Sequence, residues 1–139
     1  MKFTRKAAAQ WNGSGKDGIG NLTTDSKVLN ATQYSFKTRF ENGIGTNPEE
    51  LIGAAHAGCF TMQLSFLLDA AGYQEKQLNT EAQVVFEDGS ITEIRLSLKG
   101  TVPGIDAAKF QSIADNAKAI CPVSKLLNAK ITLNLELTA

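Results

Sequence analysis

Three regimes of apolar and polar residues lay out most of this chain: alternation, a dense apolar run, then alternation again. Phe3, Ala7, Ala9 and Trp11 fall on one parity, the period of an extended strand. The run GSGKDGIGN at 13–21 then supplies the glycines of a hairpin turn. Tyr34, Phe36 and Phe40 again share a parity, with Ser35, Lys37 and Arg39 on the other. That pattern predicts a further strand whose Arg39 points away from the aromatic face.

Residues 47–71 are the one long helical segment. Asn47 is a good N-cap, Pro48 suits the first helical position, and Glu49 and Glu50 complement the positive end of the helix. Gly72 suits the left-handed position that closes it. Between these signals the segment is apolar around most of its circumference, so it must be buried on several sides. Gly53, Gly58 and the neighbouring alanines leave small surfaces where a second helix backbone could approach, within the chain or across subunits.

Alternation resumes at Leu78, Thr80, Ala82, Val84 and Phe86, turns at EDGS (87–90), and continues through Ile94, Leu96 and Leu98. Asp106 can cap a second helix with the apolar stripe Phe110, Ile113, Ala114, Ala117 and Ile120. Pro122 ends or kinks that helix just after Cys121, and Ile131, Leu133, Leu135 and Leu137 alternate as a last strand. Three strands, a helix, two strands, a helix and a strand, joined mostly by short turns, predict one α+β domain over 1–139 with a largely antiparallel sheet.

The 139 residues include fourteen basic and fourteen acidic side chains, which removes any polyanion or basic membrane-patch reading. The N-terminus has no apolar run of signal-peptide length behind its positive start, and no uninterrupted apolar stretch of spanning length occurs. The expected compartment is therefore the cytoplasm, where a pair of cysteines seldom forms a structural disulfide.

Candidate chemistry centres on Cys59, Cys121 and the single histidine, His56. Gly13, Gly15 and Gly18 satisfy G-x-G-x-x-G, but no helix follows and Lys16 precedes Asp17, so the motif is a hairpin turn and no nucleotide cofactor is expected. Three ligands without a fourth and no C-x-x-C pair make a poor zinc site, so no metal is expected. His56 lies one helical turn before Cys59, yet nothing marks a third group to orient it as a base. A thiol deep in an apolar helix is normally raised in pKa and sluggish. Activation has to come from a cation on another segment, and Arg39, which stays charged when buried, is the best placed by type.

The runs GTNPEELIGAAHAGCF (45–60) and AICPVSKLL (119–127), with TRFENG (38–43), VPGIDAAKF (102–110) and the closing ITLNLEL, resemble the OsmC/Ohr family of osmotically inducible and organic hydroperoxide resistance proteins, most closely its OsmC branch. The resemblance covers nearly the whole chain. It implies an OsmC-like fold, largely antiparallel sheets wrapped around a long central helix, and an intertwined homodimer with sites at the subunit interface. It also implies a peroxide-attacking Cys59, a resolving Cys121, and Arg39 and Glu49 completing the site, with Arg5 a poorer choice of arginine. The substrates implied are organic hydroperoxides and, more weakly, inorganic ones; the reductant is an external dithiol, a dihydrolipoyl group on a carrier protein.

Ten residues of helix rise about 15 Å. Glu49 is thus expected to miss Cys59 of its own chain and to meet that of a second subunit, with Arg39 supplied by either chain. Phe60, Met62 and Phe66 would line an apolar wall beside the thiol, unless they simply fill the core. Two other classes are compatible with the residues alone: a Cys59–His56 hydrolase or transferase with no role for Cys121, and a non-catalytic stress protein of the same fold.

Overall fold

The structure is a computed structural model that describes residues 1–138. It comprises two compact units, the first spanning Met1–Leu51 and the second beginning at Ile52.

In the first unit β1 (Ala7–Asn12) pairs antiparallel with β2 (Ile19–Thr24), and β2 with β3 (Thr32–Tyr34). The glycine-rich run between β1 and β2 is the expected hairpin loop, with Gly18 N–H donating to Ser14 C=O at 2.8 Å. The strand expected through Phe40 stops at Tyr34, and Phe36–Phe40 is a short helix, α1. The cause is local. Ser35 Oγ accepts from Thr38 N–H, and Thr38 Oγ1 accepts from Ser35 N–H at 2.8 Å, a reciprocal capping box that starts a helix where parity suggested a strand. Phe36 and Phe40 then meet as an i, i+4 pair, ring centroids 5.0 Å apart.

Asn47 Oδ1 caps α2 (Pro48–Ala70) by accepting from Glu50 N–H at 2.8 Å, while its Nδ2 donates to Thr38 C=O. The start of α2 is thereby tied to α1. The helix ends as expected: Gly72 takes a left-handed φ of 95°, and Tyr73 N–H reaches back to Leu68 C=O.

In the second unit β4 (Gln77–Glu87) and β5 (Ser90–Thr101) form a long hairpin. Asp88 and Gly89 both adopt positive φ at its turn. Asp106 caps α3 (Ala107–Ile120), Pro122 opens α4 (Pro122–Leu126), and β6 (Lys130–Thr138) returns parallel to β5. That one parallel ladder departs from the hairpin pattern because the connection passes through two helices, enough chain for a crossover. The other three ladders are antiparallel.

The core lies in this unit. Ile94, Leu96 and Leu98 of β5 are buried with Phe60, Leu64 and Leu68 of α2 and with Phe110, Ala114 and Ala117 of α3. Gly100 admits the Phe110 ring, since an added Cβ would sit 2.6 Å from its Cζ. By length and composition α2 could cross a membrane, but its stripe Gly53, His56, Phe60, Leu64 and Leu68 is buried in this core. The expectation of burial on several sides is met on one side only: Met62 and Phe66 remain 63% and 62% exposed.

Candidate active site

Two pairs of side chains are candidates for chemistry, one in each unit. In the second unit Cys121 Sγ lies 2.8 Å from Cys59 Sγ. Cys59 stands mid-way along α2. Cys121 ends α3 and begins α4, with extended backbone (φ −55°, ψ 125°) because Pro122 cannot continue α3. Neither is in a disulfide. Their exposures differ: Cys121 is fully buried, and Cys59 is half-buried. Any reagent arriving from solvent thus reaches Cys59 first.

Burial pushes the Cys59 thiol up, and the neighbouring Cys121 thiol pushes it further. The Val123 main-chain N–H faces the sulfur and acts the other way. A thiol raised by its own surroundings needs a cation to react at neutral pH.

The first unit holds one arginine, Arg39, in a defined orientation. Arg39 Nε donates to Glu49 Oε1 at 2.9 Å, and a terminal nitrogen of the same guanidinium forms an ion pair with that oxygen at 2.8 Å. The α1 helix, rather than the expected strand, turns Arg39 toward the first turn of α2 and resolves the conflict of faces posed by parity. Glu49 Oε2 is buried without a hydrogen-bond partner. It is a free acceptor beside the guanidinium. The adjacent Glu50 is spent locally, accepting from Thr46 Oγ1 at 2.7 Å. Arg5 donates to the adjacent Thr4 C=O and stacks over Phe3 in an exposed N-terminal segment.

His56 does not serve Cys59. Its Nε2 is hydrogen-bonded to Ser124 Oγ at 2.7 Å, its Nδ1 has no partner, and the ring is fully buried. Burial pulls its pKa down. The geometry of a Cys–His hydrolase is therefore absent here. Ser124 and the Val123 N–H escape sequence reasoning; the only available signal was their place one turn after a cysteine–proline break.

Of the residues expected to form an apolar wall, Phe60 is fully buried in the core, whereas Met62 and Phe66 lie open on α2. A groove of about 540 Å³ in the first unit, lined by Ala7, Ala9, Leu22, Val28, Leu29 and Leu51, contains neither cysteine. Among the described residues no group of three or more His, Cys, Asp or Glu side chains could hold a metal.

The chain has full-length relatives among known proteins. The chain is 48% identical to the peroxiredoxin OsmC of Escherichia coli (strain K12) over 141 residues, covering 99% of each. It is 31% identical to an organic hydroperoxide resistance protein of Xanthomonas axonopodis pv. citri (strain 306), over 97% of this chain and 94% of that one. The crystal structure of the organic hydroperoxide resistance protein OhrB of Bacillus subtilis superposes with a TM-score of 0.67 at 25% identity, covering 98% of both chains. The OsmC-like protein of Mycoplasma pneumoniae shares the fold with a TM-score of 0.72 over the full length of both. The OsmC-like protein family model matches residues 40–136, a span that takes in Glu49 and both cysteines. Placed cysteine pair, full-length relatives and shared fold give one result: this chain belongs to the OsmC-like family.

Proposed function

We propose that this protein is a thiol-dependent peroxidase that reduces organic hydroperoxides, with Cys59 as the attacking thiol and Cys121 as the resolving one. The observation that carries the reading is the 2.8 Å contact between a half-buried and a fully buried sulfur. The Cys59 thiolate attacks the terminal oxygen of ROOH, and the O–O bond breaks. The alcohol leaves with one proton, and Cys59 becomes a sulfenic acid. Cys121 then displaces hydroxide from that sulfur, water departs, and a Cys59–Cys121 disulfide remains. A dithiol restores both thiols by exchange and is itself oxidised to a disulfide. A dihydrolipoyl group on a carrier protein fits this last step, because it delivers two thiols at once.

Arg39 supplies the positive charge that offsets the raised thiol and steadies the peroxide oxygens, and Glu49 orients the guanidinium. Since α2 is unbroken from Pro48 to Ala70, Glu49 and Cys59 stand about 15 Å apart along its axis. The working site is accordingly composite, with the Arg39–Glu49 pair of one subunit serving the cysteines of a second. The exposed Met62 and Phe66 on the outer face of α2 support such a homodimer. A single functional domain over 1–139 completes the reading, supported by a relative matched over 99% of the chain, and a cytoplasmic location belongs to the same proposal.

The test is turnover of cumene hydroperoxide with dihydrolipoamide, against the same assay with glutathione. Rapid dithiol-dependent consumption that disappears in Cys59→Ser supports the reading. Consumption unaffected by Cys59→Ser contradicts it.

A further inference from the structure

His56 and Ser124 each lie three residues from one of the two cysteines, on opposite sides in sequence. His56 is three residues before Cys59 on α2, one turn away, and Ser124 is three residues after Cys121 on α4. The Cys59–Cys121 contact and the 2.7 Å His56–Ser124 hydrogen bond therefore join the same two helices at two points. Two points fix both the sliding and the rotation of one segment on the other; one point fixes neither. The need is evident in α4 itself, five residues long, opened by Pro122, and following a residue that has left the helical conformation.

The hydrogen bond is also hard to explain as packing. A fully buried imidazole with one nitrogen satisfied and the other orphaned costs stability that an apolar side chain of similar volume would not. Resolution, by contrast, demands this control. Displacement at the sulfenic sulfur requires the second sulfur to approach opposite the departing oxygen, and to close from 2.8 Å to about 2.05 Å. An error of about 1 Å in such an approach costs up to ~100-fold in rate.

We propose that the His56–Ser124 hydrogen bond is a latch that holds α4 in register on α2, so that Cys121 is aimed at Cys59 when Cys59 is oxidised. His56 and Ser124 are positioning residues for the second step of the reaction: Cys59–SOH and Cys121–SH become a disulfide and water, with the Cys121 proton leaving in that water. The proposal rests on the peroxidase reading given above. It separates from that reading because loss of the latch slows disulfide formation far more than the first attack on peroxide, which it touches only through the Val123 N–H beside Cys59.

The experiment mixes reduced protein with one equivalent of cumene hydroperoxide in the presence of dimedone, quenches at intervals and follows intact mass. Wild type should pass to the disulfide with little dimedone adduct. Ser124→Ala should consume the first equivalent of peroxide within about 3-fold of the wild-type rate but form the disulfide about 10- to 100-fold more slowly, with Cys59 captured as the dimedone adduct. His56→Phe, which fills the same space without the hydrogen bond, is the second disrupting variant should Ser124→Ala not fold. Ser124→Thr, which keeps the hydroxyl, should restore disulfide formation. Leu127→Ala, which removes packing at the end of α4 and spares the hydrogen bond, should form the disulfide as wild type does. Wild-type disulfide rates in the disrupting variants, or equal slowing in Leu127→Ala, would overturn the latch alone. A wild-type protein that yields neither adduct nor disulfide would overturn the peroxidase reading beneath it.

Discussion

Cys121 Sγ touches Cys59 Sγ at 2.8 Å across 62 positions of sequence, and only Cys59 has access to solvent. That asymmetry assigns different fates to the two thiols. Cys121→Ser should consume one equivalent of hydroperoxide without turning over, leaving a sulfenic acid that a second equivalent, when peroxide is in excess, drives to the irreversible sulfinic form. Cys59→Ser should consume none. Mass spectrometry after peroxide addition distinguishes plus 16 and plus 32 Da products from unmodified protein, in line with the oxidation ladder at roughly one oxygen per step.

The Arg39–Glu49 pair should matter far more to rate than to stability. Arg39 is 39% exposed and Glu49 13%, so the pair contributes about 0–1 kcal/mol. Arg39→Met and Glu49→Gln should therefore melt close to wild type. Their peroxidase kcat/KM should fall by about 10²-fold or more, the scale of losing an electrostatic stabiliser. Burial raises the Cys59 pKa and a cation lowers it, so the pH profile of iodoacetamide alkylation at Cys59 should move up in Arg39→Met.

Phe66 is 62% exposed on the outer face of α2. Phe66→Glu should leave the subunit folded, because the side chain adds little to its own core. In sedimentation or light scattering it should convert a dimer to monomer and abolish peroxidase activity with it. A dimeric, active Phe66→Glu protein would argue against a site shared between subunits.

His56 gives a pH dependence of stability. Its pKa in the folded chain is lowered from 6.5 by burial. As pH falls through 6.5 the unfolded chain takes up a proton that the native chain refuses, so stability is full above 6.5 and is lost on acidification towards the lowered native value. The slope is at most about 1.4 kcal/mol per pH unit from this one group. Urea unfolding between pH 7.5 and 5.5 should show the loss, and His56→Phe should flatten it.

Where side-chain period and caps agree, the fold was legible in sequence. Asn47, Pro48 and Gly72 bracket α2, the EDGS turn joins β4 to β5, and Asp106 starts α3, all as local chemistry dictates. The exception was 35–40, where alternating aromatics mimicked a strand. The Ser35–Thr38 capping box lacks the usual Glu or Gln at its third position, and its weaker signal lost to parity. The parallel return of β6 was hidden because alternation fixes which face a residue takes but not strand direction. In the site, both cysteines, Arg39 and Glu49 could be named from the family resemblance. Ser124 could not, because its role depends on a contact between α4 and α2 that no local pattern encodes.

Peptide mapping of the reduced protein after one equivalent of cumene hydroperoxide decides whether Cys59 and Cys121 form one redox pair. A single Cys59–Cys121 disulfide within the chain, with one cumyl alcohol released per disulfide, is the expected result of such a pair. Two free thiols and unconsumed peroxide, or oxidation of either sulfur without a bond between them, would contradict it.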